Sequence, residues 1–142
     1  MSEVPPCHHV PVPVRWSDMD AYGHLNHART VTLLEEARVA WLFAPGSATA
    51  ELAAGTVVAD LHVRYVSQLT HRDGPLDVAM WVSRLRAADA VVQYAVRAAG
   101  AVPGSRPAVT ASTQLVPFDL GAQRPRRFTT QERDALRGWV RG

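Results

Sequence analysis

The chain has 142 residues, 47% of them hydrophobic and 20% charged, which suits a single compact core and argues against disorder or a fibrous repeat. A formal net charge of +2 is too mild for a dedicated nucleic-acid surface, which would show a denser basic face with interleaved aromatics. The apolar run from Val39 to Ala44 stops at Pro45, far short of the ~20 residues that a membrane span needs, so no membrane partner is expected. The opening MSEVPPCHHV lacks the basic head and apolar centre of a secretory signal. Cys7 is the one cysteine; it cannot form an internal disulfide and fits a reducing compartment, so the cytoplasm is the expected location. Cys7-His8-His9 has no second cluster at ligand spacing and reads as the polar start of a strand.

In chain order, Val10, Val12, Val14 and Trp16 alternate with Pro11, Pro13 and Arg15, predicting a first strand that the prolines confine to an edge or a strand start. From about His27 to Phe43 apolar residues fall at Val31, Leu34, Ala37 and Trp41, widened by Leu33, Ala40 and Leu42, the pattern of an amphipathic helix ended by Pro45-Gly46. A second, long strand starts near Thr56, with Val57, Ala59, Leu61, Val63 and Tyr65 on one side. After the turn chemistry of THRDGP, Leu76, Val78, Met80 and Val82 mark a third strand. Ala87-Ala88-Asp89 leads tightly into a fourth, Val92 to Ala98, which must be antiparallel to the third. Gly100 to Pro107 is a loop, and Val109, Ala111, Thr113 and Leu115 mark a fifth strand ending near Pro117. Beyond Asp119 the composition turns basic, with Arg124, Arg126, Arg127, Arg133, Arg137 and Arg141, a balance compatible with a small polyanionic ligand. Thr129-Thr130-Gln131-Glu132 offers a capping box for a short terminal helix, with Leu136 and Val140 as its narrow apolar stripe and Trp139 beside it.

One strand, one long helix and four more strands bury everything most economically as an antiparallel sheet curled around the helix, an α+β fold. A single domain spanning 1–142 is expected, with a core of about 8–119 and a basic C-terminal extension over 120–142. Open sheet edges favour pairing with another copy, so a homodimer at least is expected.

The densest polar chemistry precedes the helix: Asp18-Met19-Asp20-Ala21-Tyr22-Gly23-His24-Leu25-Asn26-His27. Gly23 permits a positive-φ turn. Asn26 is a suitable N-cap, which places the N–H groups of His27, Ala28 and Arg29 at the helix start, unpaired and directed into the loop. Such an end stabilises an oxygen that becomes negative during reaction, and an upstream carboxylate could attack, or activate water against, the carbonyl held there.

The run RWSDMDAYGHLNHARTVTLLEEAR resembles the signature of the hot-dog-fold acyl-CoA thioesterases of the 4-hydroxybenzoyl-CoA thioesterase type. VVADLHVRYVSQL is similar to that family's second strand and RPRRFTTQE to its closing segment, so the resemblance spans roughly 8–130. It implies a hot-dog fold and hydrolysis of an acyl-CoA thioester to free acid and coenzyme A, with no bound cofactor. Asp20 matches the catalytic carboxylate, as nucleophile or as general base, and the backbone N–H of His27 matches the donor to the thioester carbonyl. Gly23, His24 and Asn26 match positions that shape the site, and Tyr22 lies among them. The resemblance also implies a site between subunits, in a dimer often paired into a tetramer, and basic side chains near its mouth, for which Arg124, Arg126 and Arg127 are candidates. His27 stands where many relatives carry asparagine or an aromatic residue, which leaves the chemistry intact but not the shape of the acyl pocket.

Other readings of the same residues are weaker. Asp18 fits a structural acid bonded within its turn, and Asp20 itself could simply help to fix the loop. Asp18, Asp20, His24 and His27 match no usual zinc or magnesium spacing. Glu35 or Glu36 could pair with Arg38 on the helix surface. The rival function is a non-catalytic acyl-CoA or acyl-carrier-protein binding module on the same fold. A hydratase or dehydratase would need a different arrangement of acid and histidine.

Overall fold

In the computed structural model, described over residues 6–141, the elements run β1 (His8–Val12), α1 (His27–Leu42), β2 (Thr56–Tyr65), β3 (Leu76–Leu85), β4 (Ala90–Arg97), β5 (Val109–Asp119), β6 (Arg124–Pro125) and α2 (Thr130–Arg137). Residues 1–5, half of the stretch read above for a signal, and Gly142 lie outside the described residues. The five main strands form one antiparallel sheet in the order β1-β3-β4-β5-β2, and β6 pairs with the end of β5. The sheet curls over α1, the arrangement expected from the sequence. Among the described residues no helix is long and apolar enough to cross a membrane.

Alternation decides what the sheet buries. Leu76, Val78, Met80 and Val82 of β3, Val92, Tyr94 and Val96 of β4, and Val109, Ala111 and Leu115 of β5 point into the core. There they meet Leu33, Leu34, Ala37, Trp41 and Leu42 of α1. Each large side chain so removed from water contributes about 1.5–3 kcal/mol against the entropy of ordering the chain. Ala37 is wholly buried, and its small side chain lets helix and sheet approach closely. Gly55 is needed for a similar reason: a Cβ there would lie 2.1 Å from the Phe118 carbonyl oxygen, where β2 begins alongside β5.

Three expectations change. The first strand stops at Val12, and Trp16 stands 77% exposed in a short 3₁₀ turn, Trp16–Asp18; the period-two pattern continued past the paired segment because Pro13 ends the ladder without changing the side-chain alternation. On α1, Ala40 is exposed and Val31 only partly buried, because the sheet covers the helix from the β1 and β3 side and leaves that flank open. Almost all of β2 is exposed on both faces, despite its alternation, because it is the far edge strand and α1 does not reach over it.

The basic extension is more firmly held than its sequence implies. Thr129 caps α2 with the full capping box, and Leu136 and Phe128 enter the core cluster, whereas Val140 is 37% exposed. A bulge between Val82 and Arg84 frees the Val82 backbone, which takes up Trp139 O and Arg141 N at 3.0 and 2.8 Å. Trp139 also packs edge-on to Trp41 and His8, and His8 stacks on Trp41 at 5.5 Å, so three rings join β1, α1 and the tail. Burial, with a smaller contribution from His9, lowers the His8 pKa and keeps that ring neutral.

Glu132 anchors α2. Its carboxylate is 1% exposed, accepts from both terminal nitrogens of Arg126 at 2.8 and 3.0 Å, and accepts the Thr129 N–H at 2.8 Å. Burial alone would raise its pKa, but Arg126 and Thr129 outweigh that and hold it below the ordinary 4.5. A carboxyl depressed in this way stabilises the fold above its unfolded pKa, and the contribution fades as pH falls through the folded value. Glu132→Gln should therefore cost on the order of 2–3 kcal/mol at pH 7 in urea unfolding. The gap to wild type should close as the pH is taken well below 4.5; a gap independent of pH would remove the ion pair from the account.

Candidate active site

The loop between β1 and α1 is built on two aspartates with different duties. Asp18 is buried, and its carboxylate accepts the Arg15 N–H at 2.9 Å with the guanidinium groups of Arg15 and Arg29 at 3.4 and 3.7 Å. Burial pushes its pKa up, but the Arg15 N–H and the two guanidinium groups prevail and hold it below the ordinary 3.8. Its carbonyl accepts the Asn26 N–H at 3.0 Å, so Asp18 ties the start of the loop to the helix cap.

Asp20 lies two residues on, at the neck of a tight turn. Its N–H donates to His24 O at 2.8 Å, its carbonyl accepts from Gly23 N at 3.1 Å, and its Oδ1 accepts from Tyr22 N at 2.8 Å and His24 N at 3.2 Å. Gly23 adopts φ +79°, a conformation that costs any residue with a side chain, although the space around it is open. The Leu25 N–H then bonds Leu69 O at 2.7 Å, which docks the turn on the segment after β2. One carboxylate oxygen of Asp20 is thus held by two backbone donors. Oδ2 has no hydrogen-bond partner among the described residues.

The helix start differs from its sequence reading in one respect. Asn26 is the N-cap, but its Oδ1 accepts from both Ala28 N at 2.9 Å and Arg29 N at 3.2 Å, while its carbonyl accepts from Thr30 N at 3.0 Å. Of the first-turn donors, only the His27 N–H is left without a partner among the described residues. Asp20 and His27 line the same cavity of about 350 Å³, together with Thr30, Tyr65, Gln68 and Val109. Asp20 and His27, the latter at the positive end of a four-turn helix, thus border one opening.

Other candidates fall outside it. His24 packs half-buried in the turn, and Tyr22 is 85% exposed at the loop tip; neither lines the cavity. Arg124 and Arg127 are exposed at the β6 end, also away from it, and Arg126 has its guanidinium committed to Glu132. Glu35 and Glu36 are exposed, and Arg38 reaches Tyr94 Oη at 3.1 Å instead of either. Among the described residues no three His, Cys, Asp or Glu side chains converge so as to hold a metal ion. A larger cavity of about 920 Å³, lined by Ala79, Trp81, Ala95, Arg97 and Arg141 among others, lies on the opposite face of the sheet. Sequence reasoning missed Tyr65, whose hydroxyl donates to His27 O at 2.6 Å. Its strand was legible, but a contact between residues 38 apart was not.

The sequence profile of the thioesterase-like superfamily matches residues 14–139. The chain belongs to that superfamily. It is a thioester hydrolase by that membership. A candidate thioesterase of Pseudomonas aeruginosa is 30% identical, with 90% of this chain and 96% of that one covered and a TM-score of 0.78. A thioesterase of Thermus thermophilus, solved with coenzyme A and zinc, is 26% identical over 97% of this chain and 96% of its own, with a TM-score of 0.76. A candidate acyl-CoA thioesterase of Xanthomonas campestris is 27% identical over 82% and 95%, with a TM-score of 0.69. No curated protein matches the sequence.

The cap in this thioesterase allows a direct test. Asn26→Ala should cost about 1 kcal/mol in chemical unfolding, because two first-turn amides lose their acceptor, while Asn26→Asp should retain most of that stability. Equal losses in the two variants would show that the side-chain acceptor is not what holds the helix start.

Proposed function

We propose that this thioesterase hydrolyses acyl-CoA thioesters, with Asp20 as the catalytic carboxylate and the His27 N–H as the donor to the thioester oxygen. The observation that carries the reading is the cavity that Asp20 and His27 both line, the first with one carboxylate oxygen and the second with a helix-terminal N–H that have no partner among the described residues. A thioester carbonyl lying there would direct its oxygen at the amide. As the carbon becomes tetrahedral its oxygen gains charge, and a fixed N–H at a helix start stabilises that charge without reorganising. Asp20 Oδ2 either adds to the carbonyl carbon, giving an anhydride that water then cleaves, or takes a proton from a water that adds instead. In both routes the C–S bond breaks, the thiolate of coenzyme A leaves and is protonated, and the acid is released. The two backbone bonds to Oδ1 fix the carboxylate's direction in either route.

We read the working unit as a homodimer, or a dimer of dimers, paired through β2. That edge is ten residues long and exposes Val57, Val58, Leu61 and Tyr65, a surface that soluble proteins normally pair or cover. The other edge, β1, has five residues and carries Pro11. Antiparallel pairing of two β2 edges about a two-fold axis would set the Thr56 end of one copy beside the Tyr65 end of the other. Thr56 lies opposite Pro117 of β5, close to where β6 attaches, so this pairing would carry the 124–127 segment of the second copy toward the cavity, with Arg124 and Arg127 free to meet coenzyme A phosphates. The coenzyme A bound to the Thermus thermophilus protein supports this substrate class.

Asp20→Asn tests the chemistry, because the amide oxygen can still accept both loop N–H groups while the charge is gone. Thiol release from a panel of aliphatic and aromatic acyl-CoAs should fall about a hundredfold or more in a variant that unfolds like wild type. Full turnover would make Asp20 a loop acid, and binding without turnover in the wild type across the panel would favour the non-catalytic module. For the assembly, Leu61→Lys should shift the protein to monomers in sedimentation velocity and abolish thiol release; an active monomer would rule out a shared site.

A further inference from the structure

The first turn of α1 is held to the loop before it by the Asn26 N–H on Asp18 O and by Arg29 beside Asp18, but it has little packing of its own. His27, Ala28 and Arg29 are exposed, Thr30 is the first buried residue, and the strongest packing comes later, at Leu33, Leu34, Ala37, Trp41 and Leu42. Helix ends fray when only their own hydrogen bonds hold them. The Asn26 cap holds Ala28 and Arg29 within the turn, but it does not tie that turn to the sheet. β2, by contrast, is registered on β5 from Thr56 to Tyr65, and its last residue reaches across the cavity to the helix.

We propose that Tyr65 is a positioning residue for hydrolysis: its hydroxyl, bonded to the His27 carbonyl, fixes the first turn of α1 against β2 and thereby the direction of the free His27 N–H. The inference rests on the function proposed above and adds to it the element that aims the donor. The bond is short, 2.6 Å. The two rings meet edge to face with centroids 6.5 Å apart, and both residues line the cavity. A carbonyl oxygen has two lone pairs, so the Tyr65 hydroxyl can share His27 O with the helix's own donor. Within one protomer Tyr65 is 48% exposed, so the contact contributes placement more than stability to the fold of that protomer. Burial of part of the ring raises the phenol above its ordinary 10.0, which keeps it a donor throughout the range of a thioesterase assay. A donor to a forming oxyanion acts over only a few tenths of an ångström, so a small drift of this turn is felt in the rate.

The test compares Tyr65→Phe with wild type. The expected result is a fall of about tenfold in kcat for acyl-CoA hydrolysis, with KM changed less than about twofold and the unfolding midpoint and assembly unchanged. The ratio of the two rates should stay flat from about pH 6 to about pH 9, since the tyrosine supplies a fixed bond and no proton. Backbone amides of Ala28 and Arg29 should exchange with deuterium faster in the variant, a readout independent of turnover. Tyr65→Leu should lose the same kcat and also raise KM, because it removes the ring that forms one wall. An unchanged kcat in Tyr65→Phe, or a loss confined to KM, would overturn the inference. Asp20→Asn run alongside separates the two ideas: if it is inactive while Tyr65→Phe is fully active, only the positioning role falls, whereas an active Asp20→Asn removes the site itself.

Discussion

A helix start presents backbone N–H groups that something must satisfy, and the number satisfied at α1 is what the proposed site depends on. Asn26 accepts two of them and its carbonyl a third, leaving the His27 amide without a partner among the described residues. One more acceptor in reach would cap the helix better and remove the donor that the proposed function requires. The turn that precedes it is arranged so that no such acceptor arrives: Asp18 faces inward to Arg15 and Arg29, and Asp20 has one oxygen occupied by its own turn. In the function proposed above, the second oxygen of Asp20 and the His27 amide act from residues that line one cavity. A carboxylate and an amide kept apart in this way would meet the condition for differential stabilisation of a transition state.

The rest of the fold maintains that separation. The sheet holds β5 and β2 in register, the Leu25–Leu69 bond docks the loop on the segment after β2, and the buried stripe of α1 fixes the helix axis. The C-terminal segment adds to the far side of the core through Phe128, Leu136 and the Arg126–Glu132 pair. Its most basic stretch thus divides its labour: one arginine is committed to folding, and its neighbours on either side remain free at the surface.

Much of this was legible in the sequence because it is local. Both helix starts announce themselves through a cap residue and the three positions after it, as Asn26 and Thr129 do, and the inward alternation of β3, β4 and β5 matches the core, with Ala79 and Ala95 buried besides on the other face. The features that were not legible depend on distance along the chain. Alternation in β2 could not tell that its strand lies at an edge beyond the helix, since periodicity records which face a side chain takes and not what covers that face. The extent of the cap at Asn26 was hidden for a related reason, because sequence identifies an acceptor but not how many donors converge on it. The first strand was overread because proline breaks a ladder without disturbing a two-residue pattern.

The three-ring cluster of His8, Trp41 and Trp139 gives the molecule an optical property. Two of its four tryptophans sit there, stacked with a neutral imidazole, while Trp16 stands in water beside the loop that carries Asp20. Emission from Trp41 and Trp139 reports whether the tail, the long helix and the edge strand remain together, and emission from Trp16 reports the surroundings of the Asp20 loop. Replacing Trp81 together with one or other set by phenylalanine would leave a protein whose fluorescence tracks either global integrity or events at the loop.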